Sequence, residues 1–308
     1  MGDFTSNVLA IWWVLPASLG IAITANTLAM EGAVMFAPAF LLLFPALSGT
    51  FPQLTPNEAI GVSLLIMFFG TASASMGYVR QRVVDFRLAA RLLIITIPCA
   101  ILARSVSFLI PSWLLFIVFG SVLLLLAFTV LRSIIVRRGT ERNINRPGVA
   151  STVASPLASR ENANSEIMAR DGRKYSYLAR FNWRDRAYTG AGGALVGLIG
   201  VGVGAIVTTT LIVRHDMPAR VAVATTVIVV SATVLAGSLT HLVVASVSGS
   251  TVAFEWTLVI LAVPGVIIGG QIAPHISARC PERTLKIALL LMFALMSSVM
   301  IFRSVVSL

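Results

Sequence analysis

Charge is what this chain has least of. Lys, Arg, Asp and Glu make up 11% of its 308 residues, where soluble domains carry about a quarter. Acidic residues number 12 and histidines three. The two cysteines, Cys99 and Cys280, are too few for a disulfide framework and read as free thiols. From so few scattered His and Cys residues no metal-binding spacing and no Ser-His-Asp constellation can be assembled, so neither a metal site nor an enzyme is expected. The N-terminus, MGDFTSN, has no positive n-region, Asp3 being its only charged side chain, so no cleaved signal peptide is expected.

What fills the chain instead is apolar: 57% of it is hydrophobic and the mean hydropathy is +0.92. Apolar segments fall at 8–28, 29–47, 57–79, 88–109, 113–134, 188–213, 220–246, 256–276 and 285–306. Most are long enough to cross a bilayer core, which takes about 20 residues. The chain reads as an all-α polytopic membrane protein with the lipid bilayer as its solvent. Its formal charge of +11 does not point to nucleic acid, because 12 of the 23 Lys and Arg residues lie between Arg132 and Arg186. That is the pattern of a cytoplasmic loop. The polar stretch 135–187 thus separates a first membrane repeat, 1–134, from a second, 188–308. Its early part, NRPGVASTVASPLASRENANSE, has the composition of a solvated linker. Its later part, RDGRKYSYLARFNW, carries an Asp-Gly turn signal that admits a short strand pair.

The segment VGLIGVGVGAIVTTT, 196–210, places Gly200, Gly202 and Gly204 inside an apolar run. One tilted span or a re-entrant hairpin would both fit its length. The distribution of positive charge decides between them. With the central loop in the cytoplasm, a hairpin leaves 21 Lys and Arg inside and two outside, Arg104 and Arg303. A single span moves Arg214, Arg220, Arg279, Arg283 and Lys286 out and Arg303 in, giving 17 against six. The hairpin is therefore expected, broken at its glycines. Broken backbone within a membrane is tolerated only where protein or a polar cavity surrounds it. A nucleotide-binding glycine loop would need a preceding strand and a later acidic residue, and neither is present.

The first half repeats the pattern. MEGAVMFAPAF (30–40) aligns with GVGAIVTTTLI (202–212), and AIGVSLLI (59–66) with AVATTVIV (222–229), pairing Ser63 with Thr226. Asp85-Phe86 pairs with Glu255-Trp256, and Pro98 with Pro264. Each half reads as a re-entrant or broken helical hairpin plus three transmembrane helices, and the charge count gives the two copies opposite orientations. Inverted repeats of this kind build alternating-access transporters, with substrate held where broken helices meet. Helix N-termini there suit an anion.

These residues resemble the TauE/SafE family of sulfite and organosulfonate exporters. The resemblance rests on EGAVMFAPAFLLLFP, NEAIGVSLLIMFFGTASASMGYVRQRVVDFRL and the Pro98 span in the first half. In the second it rests on GGALVGLIGVGVGA, MPARVAVATTVIVVSATVLAGSLTHL and VPGVIIGGQIA. It implies export of sulfite or a related sulfur oxyanion across the cell (inner) membrane, without a bound cofactor. Where many relatives carry consecutive glycines in the first hairpin, this chain has Met30-Glu31-Gly32.

Candidate substrate-binding residues are Glu31, Gly32, Ser63, Gly202, Gly204, Thr225 and Thr226. Glu31 is also a proton-coupling candidate, since an ionisable group at a membrane hairpin tip faces a cavity or a partner. His241 is the second such candidate. The hydroxyls have a plain alternative role as interhelical hydrogen bonders, and the glycines as close-packing positions. Arg91 and Arg104 are expected to reach the interfaces by their long stems. TPNEA (55–59) reads as a helix start with Glu58 favourably placed. A passive anion channel shares the architecture, and a membrane sensor would use the 135–187 loop.

Overall fold

Among the described residues four helices are long and apolar enough to cross a membrane, and there are shorter apolar helices besides. The structure, a computed structural model, describes residues 11–27, 33–49, 51–111, 113–125, 127–128, 131, 165–168, 170, 172, 174–177, 182–215, 217–247, 255–277, 287, 290–291, 294 and 297–298. The expectations for Glu31, Gly32 and Cys280 lie outside these residues.

The chain opens with α1 (Val14–Thr27) and α2 (Ala33–Leu47). Within α2 the turns over Ala39–Leu43 widen to a π-helix just after Pro38, whose ring nitrogen can donate no helical bond. The start of α1 and the end of α2 meet, with Trp13 and Phe44 packed edge to face at 4.7 Å. The pair is therefore a hairpin. Phe40 and Phe51 extend the same aromatic cluster.

Helix α3 (Pro56–Arg80) begins as its sequence predicts. Thr55 and Glu58 exchange capping-box hydrogen bonds, and Pro56 occupies the first turn, where its missing N–H costs nothing. Helix α4 (Phe86–Ser107) is capped by Asp85, whose carboxylate accepts from Leu88 N at 3.0 Å. After α5 (Trp113–Leu125) come two short antiparallel strands, β1 (Ser165–Met168) and β2 (Lys174–Tyr177), with Ser165 opposite Tyr177. The strand pair admitted by the Asp-Gly signal is thus formed. Helix α6 (Trp183–Ile199) starts a few residues before the apolar run, at a capping box made by Asn182 and Asp185. Then follow α7 (Val203–Arg214), α8 (Ala219–Val247) and α9 (Trp256–Ser277).

Helices α3 and α8 form the centre. Of the most apolar stretch of α3, 72% is buried, against 28% for α4, so α4 shows side chains such as Ile94 and Leu102 to the surroundings. The outer contacts are reciprocal between the halves. Helix α1 of the first half lies along α9 of the second, and α6 of the second lies along α4 of the first. Both seams use glycines four apart, the small-residue spacing that lets membrane helices approach closely. A Cβ on Gly193 would lie 2.7 Å from Thr96 O, and one on Gly197 would be 2.9 Å from Arg104 N. On α9, Cβ atoms at Gly265 and Gly269 would be 2.6 Å and 2.9 Å from the Leu15 and Leu19 carbonyls.

Candidate functional site

The second hairpin is built by its glycines. Helix α6 stops at Gly200 in the left-handed region, φ 76°, and Gly202 has φ 148°, conformations L side chains rarely adopt. The backbone then reverses. A Cβ on Gly192 would lie 3.3 Å from Val203 Cα, although eleven residues of continuous helix would separate these positions by roughly 16 Å. At the open end Arg214 pairs with the buried Asp185 at 2.9 Å, and His215 Nε2 lies 3.5 Å from the same carboxylate. A straight helix would hold Asp185 and Arg214 roughly 43 Å apart.

The hairpin tip ends against the first hairpin. A Cβ at Gly200 would lie 2.8 Å from Ala33 Cβ, with Leu64 and Ile60 of α3 next nearest. Ala33 opens the second helix of the first hairpin, so the described residues bring the two broken elements together in a buried core. Gly202 caps α7, and Gly204 is buried in its first turn.

The predicted hydroxyls separate. Ser63 is buried near that tip and donates to Ala59 O at 2.6 Å. Helices α3 and α8 run antiparallel, because Gly61 meets the His241 ring and Leu64 meets Gly237, while Ala74 and Tyr78 cluster with Ala224 and Val227. Thr225 and Thr226 therefore sit roughly 18–20 Å from Ser63 along the axis. Thr225 Oγ1 accepts from Asp85 N at 3.1 Å. The buried Thr226 hydroxyl has no partner among the described residues.

Helices α4 and α8 carry a line of polar contacts from end to end. Asp85 N meets Thr225, Thr96 Oγ1 meets Thr233 Oγ1 at 3.0 Å, and Arg104 Nη2 meets His241 Nδ1 at 2.5 Å. The near-constant sequence offsets of 140, 137 and 137 show that the two helices run parallel. All three contacts join the first half to the second.

The Arg104 end corrects an expectation. Arg104 does not extend to an interface; it is fully buried. Close packing of Gly197 on the Arg104 backbone closes one side. Its Nη1 donates to Ser107 Oγ at 3.1 Å, and Nη2 donates to Asn57 O at 2.8 Å and to His241. An arginine only donates, so His241 Nδ1 accepts and that ring carries its proton on Nε2. Phe108 stacks on His241 at 5.2 Å and lies 5.0 Å from the guanidinium. Sequence reasoning took the functional argument for intramembrane charge to Glu31 and withheld it from Arg104, which merited it equally.

At the opposite end, the β-hairpin docks across both halves. Tyr177, 4% exposed, donates its hydroxyl to Asp85. Burial, then the bond to Asp85 and the carboxylate's charge, raise the phenol's pKa above its ordinary value. Arg170 N donates to Gln81 O at 3.1 Å, and Arg220 donates to Gln81 Oε1 at 3.0 Å and to the Tyr175 hydroxyl at 3.5 Å. A cavity of about 530 Å³ opens here between the strands and the start of α4, lined by Asp85, Arg87, Arg91, Glu166 and Tyr177 among others. It lies away from the meeting of Gly200 with Ala33, which is tightly packed. Among the described residues no group of three or more His, Cys, Asp or Glu is placed to hold a metal ion.

Spans of this length, interrupted by a broken hairpin whose tip is sealed inside the bundle, define a polytopic membrane protein of the transporter class. The chain belongs to the sulfite exporter TauE/SafE family, which matches residues 14–300. It is similar to the probable membrane transporter protein YunE of Bacillus subtilis (strain 168), with 24% identity over 284 residues, covering 92% of this chain and 94% of the relative. No solved structure matches it.

Proposed function

We propose that the protein exports a small anion, sulfite or a related sulfur oxyanion or organosulfonate, by alternating access. The observation that carries this reading is the meeting of Gly200 with Ala33, because substrates of broken-helix transporters bind where such elements converge. The two halves act as inverted repeats, 1–134 and 188–308, joined by a cytoplasmic loop over 135–187. The reciprocal packing of α1 on α9 and α6 on α4 supports that pairing. Gly202 and Gly204 bring the N-terminal N–H groups of α7 to the interior, where they favour negative charge. Ser63 serves the anion on one side of the centre, and Thr225 and Thr226 on the other. Glu31 and Gly32 complete the site from the first hairpin, and Glu31 carries the proton coupled to export, with His241 as the second candidate.

The test is sulfite flux in proteoliposomes, with and without an imposed pH gradient. Accumulation against the sulfite gradient, driven by protons, is expected. Downhill flux alone would make the protein a channel, and absence of flux for sulfite and for larger organosulfonates would overturn the reading. A Glu31→Gln variant with wild-type rate and unchanged pH dependence would remove Glu31 from the proton route.

A further inference from the structure

Among the described residues the buried guanidinium of Arg104 has no carboxylate partner. Its hydrogen-bond partners among the described residues are the Ser107 hydroxyl, the Asn57 carbonyl and the neutral His241 ring. The nearby acids are committed elsewhere or held apart. Glu58 accepts from Thr55 N at the start of α3, and Glu255, before α9, feels the charge of Glu58. Neither forms an ion pair with Arg104 among the described residues. A fully buried cation without a counter-charge is expensive in a protein interior and more so in a membrane. If holding three neutral acceptors were its whole task, an uncharged amide could do much of it without that penalty.

The geometry of the fork adds a second observation. Arg104 Nε is buried and has no partner among the described residues, and Nη2 on the same edge of the guanidinium is shared by His241 and the Asn57 carbonyl. That edge is the one that clasps two oxygens of an oxyanion side by side. His241 comes from α8 of the second half and Arg104 from α4 of the first, so a relative movement of the halves separates them.

We propose that Arg104 is an anion-binding residue, whose Nε–Nη2 edge takes two oxygens of a small oxyanion when His241 withdraws. His241 is then the stopper that fills the place in the absence of the anion. Phe108, stacked on both groups, and Gly61, where any side chain would overlap the His241 ring, hold the stopper in register. This inference rests on the reading of the protein as an anion transporter and adds the residue that supplies the compensating charge.

The test is thermal unfolding of the purified full-length chain in detergent, titrated with sulfite and separately with sulfate at constant ionic strength. A ligand bound only by the folded protein raises the melting temperature as its concentration grows. The wild type should be stabilised, and Arg104→Gln should show no anion-dependent shift. Arg104→Lys, which keeps the charge and loses the fork, should need roughly 10- to 100-fold more anion for the same shift, as expected for lost charge-assisted hydrogen bonds. Without anion, Arg104→Gln should melt at or above the wild type, because an uncompensated charge has been removed. A purely structural clamp would not behave so. Equal anion shifts in wild type and Arg104→Gln would overturn the inference, as would a wild type that neither anion stabilises. Failure of both variants to fold would identify a clamp. Flux separates this result from the transport reading: an anion shift that depends on Arg104 in a protein that moves no anion would leave the site standing and remove the transporter.

Discussion

Replacing Gly202 by alanine tests the physical account of the broken hairpin. At φ 148° the backbone is one that only glycine adopts freely, and forcing an L residue there costs about 1–3 kcal/mol. The new Cβ would also lie 2.8 Å from both Gly192 O and Leu195 Cβ. The first of these is backbone and cannot turn aside, so overpacking adds about 1–3 kcal/mol. The sum, about 2–6 kcal/mol, is a large share of the stability of an ordinary domain. Gly20 provides the control. It lies inside α1 with nothing within 4 Å of its Cβ position, and alanine is the better helix former there. Thermal unfolding in detergent should therefore show Gly202→Ala melting well below the wild type and Gly20→Ala at or slightly above it. If the two variants melt together, the glycines at 200–204 are not there to permit the reversal.

Three further outcomes follow from other parts of the molecule. Tyr177→Phe removes a hydrogen bond to a carboxylate, a contribution of about 1.5–3 kcal/mol; hydrogen exchange at the Arg170 amide should quicken, and an unchanged rate would mean the β-hairpin docks without it. Burial, then the charge of Glu58, raises the pKa of Glu255 above its ordinary 4.5. The folded protein therefore holds a proton that the unfolded chain releases, so wild-type stability should fall relative to Glu255→Gln as pH rises from 4.5; parallel melting curves across pH would refute this. Thr226→Val replaces a buried hydroxyl that has no partner among the described residues, so it should unfold no earlier than wild type, while anion flux falls; wild-type flux would take Thr226 out of the site.

Much of this architecture is legible in the sequence where one local rule decides. The reversal at Gly200–Gly202, the capping box at Thr55 and the strand pair around Asp171-Gly172 each follow from residues close together in the chain. The start of α6 is obscured because Arg184, Asp185 and Arg186 are charged, although Asn182 and Asp185 form a cap signal. Depth is what the repeat could not convey. Aligning Ser63 with Thr226 identifies equivalent places in α3 and α8, but in antiparallel helices equivalent places lie toward opposite ends. Arg104 was missed for a related reason. A cation near the end of an apolar run looks the same in sequence whether its helix meets lipid or, as here, the packed backbone of Gly197.

The reciprocal packing of the hairpins has a consequence for how such a chain is assembled and how it can change. Gly193 and Gly197 press on the Thr96 and Arg104 backbones, and Gly265 and Gly269 press on α1, so each half shelters a helix that the other half encodes. A gene divided within the loop would yield two fragments with complementary vacancies, neither able to complete its own interior. They should accumulate only when made together, and a bulky substitution in one fragment should be rescued by trimming a side chain in the other.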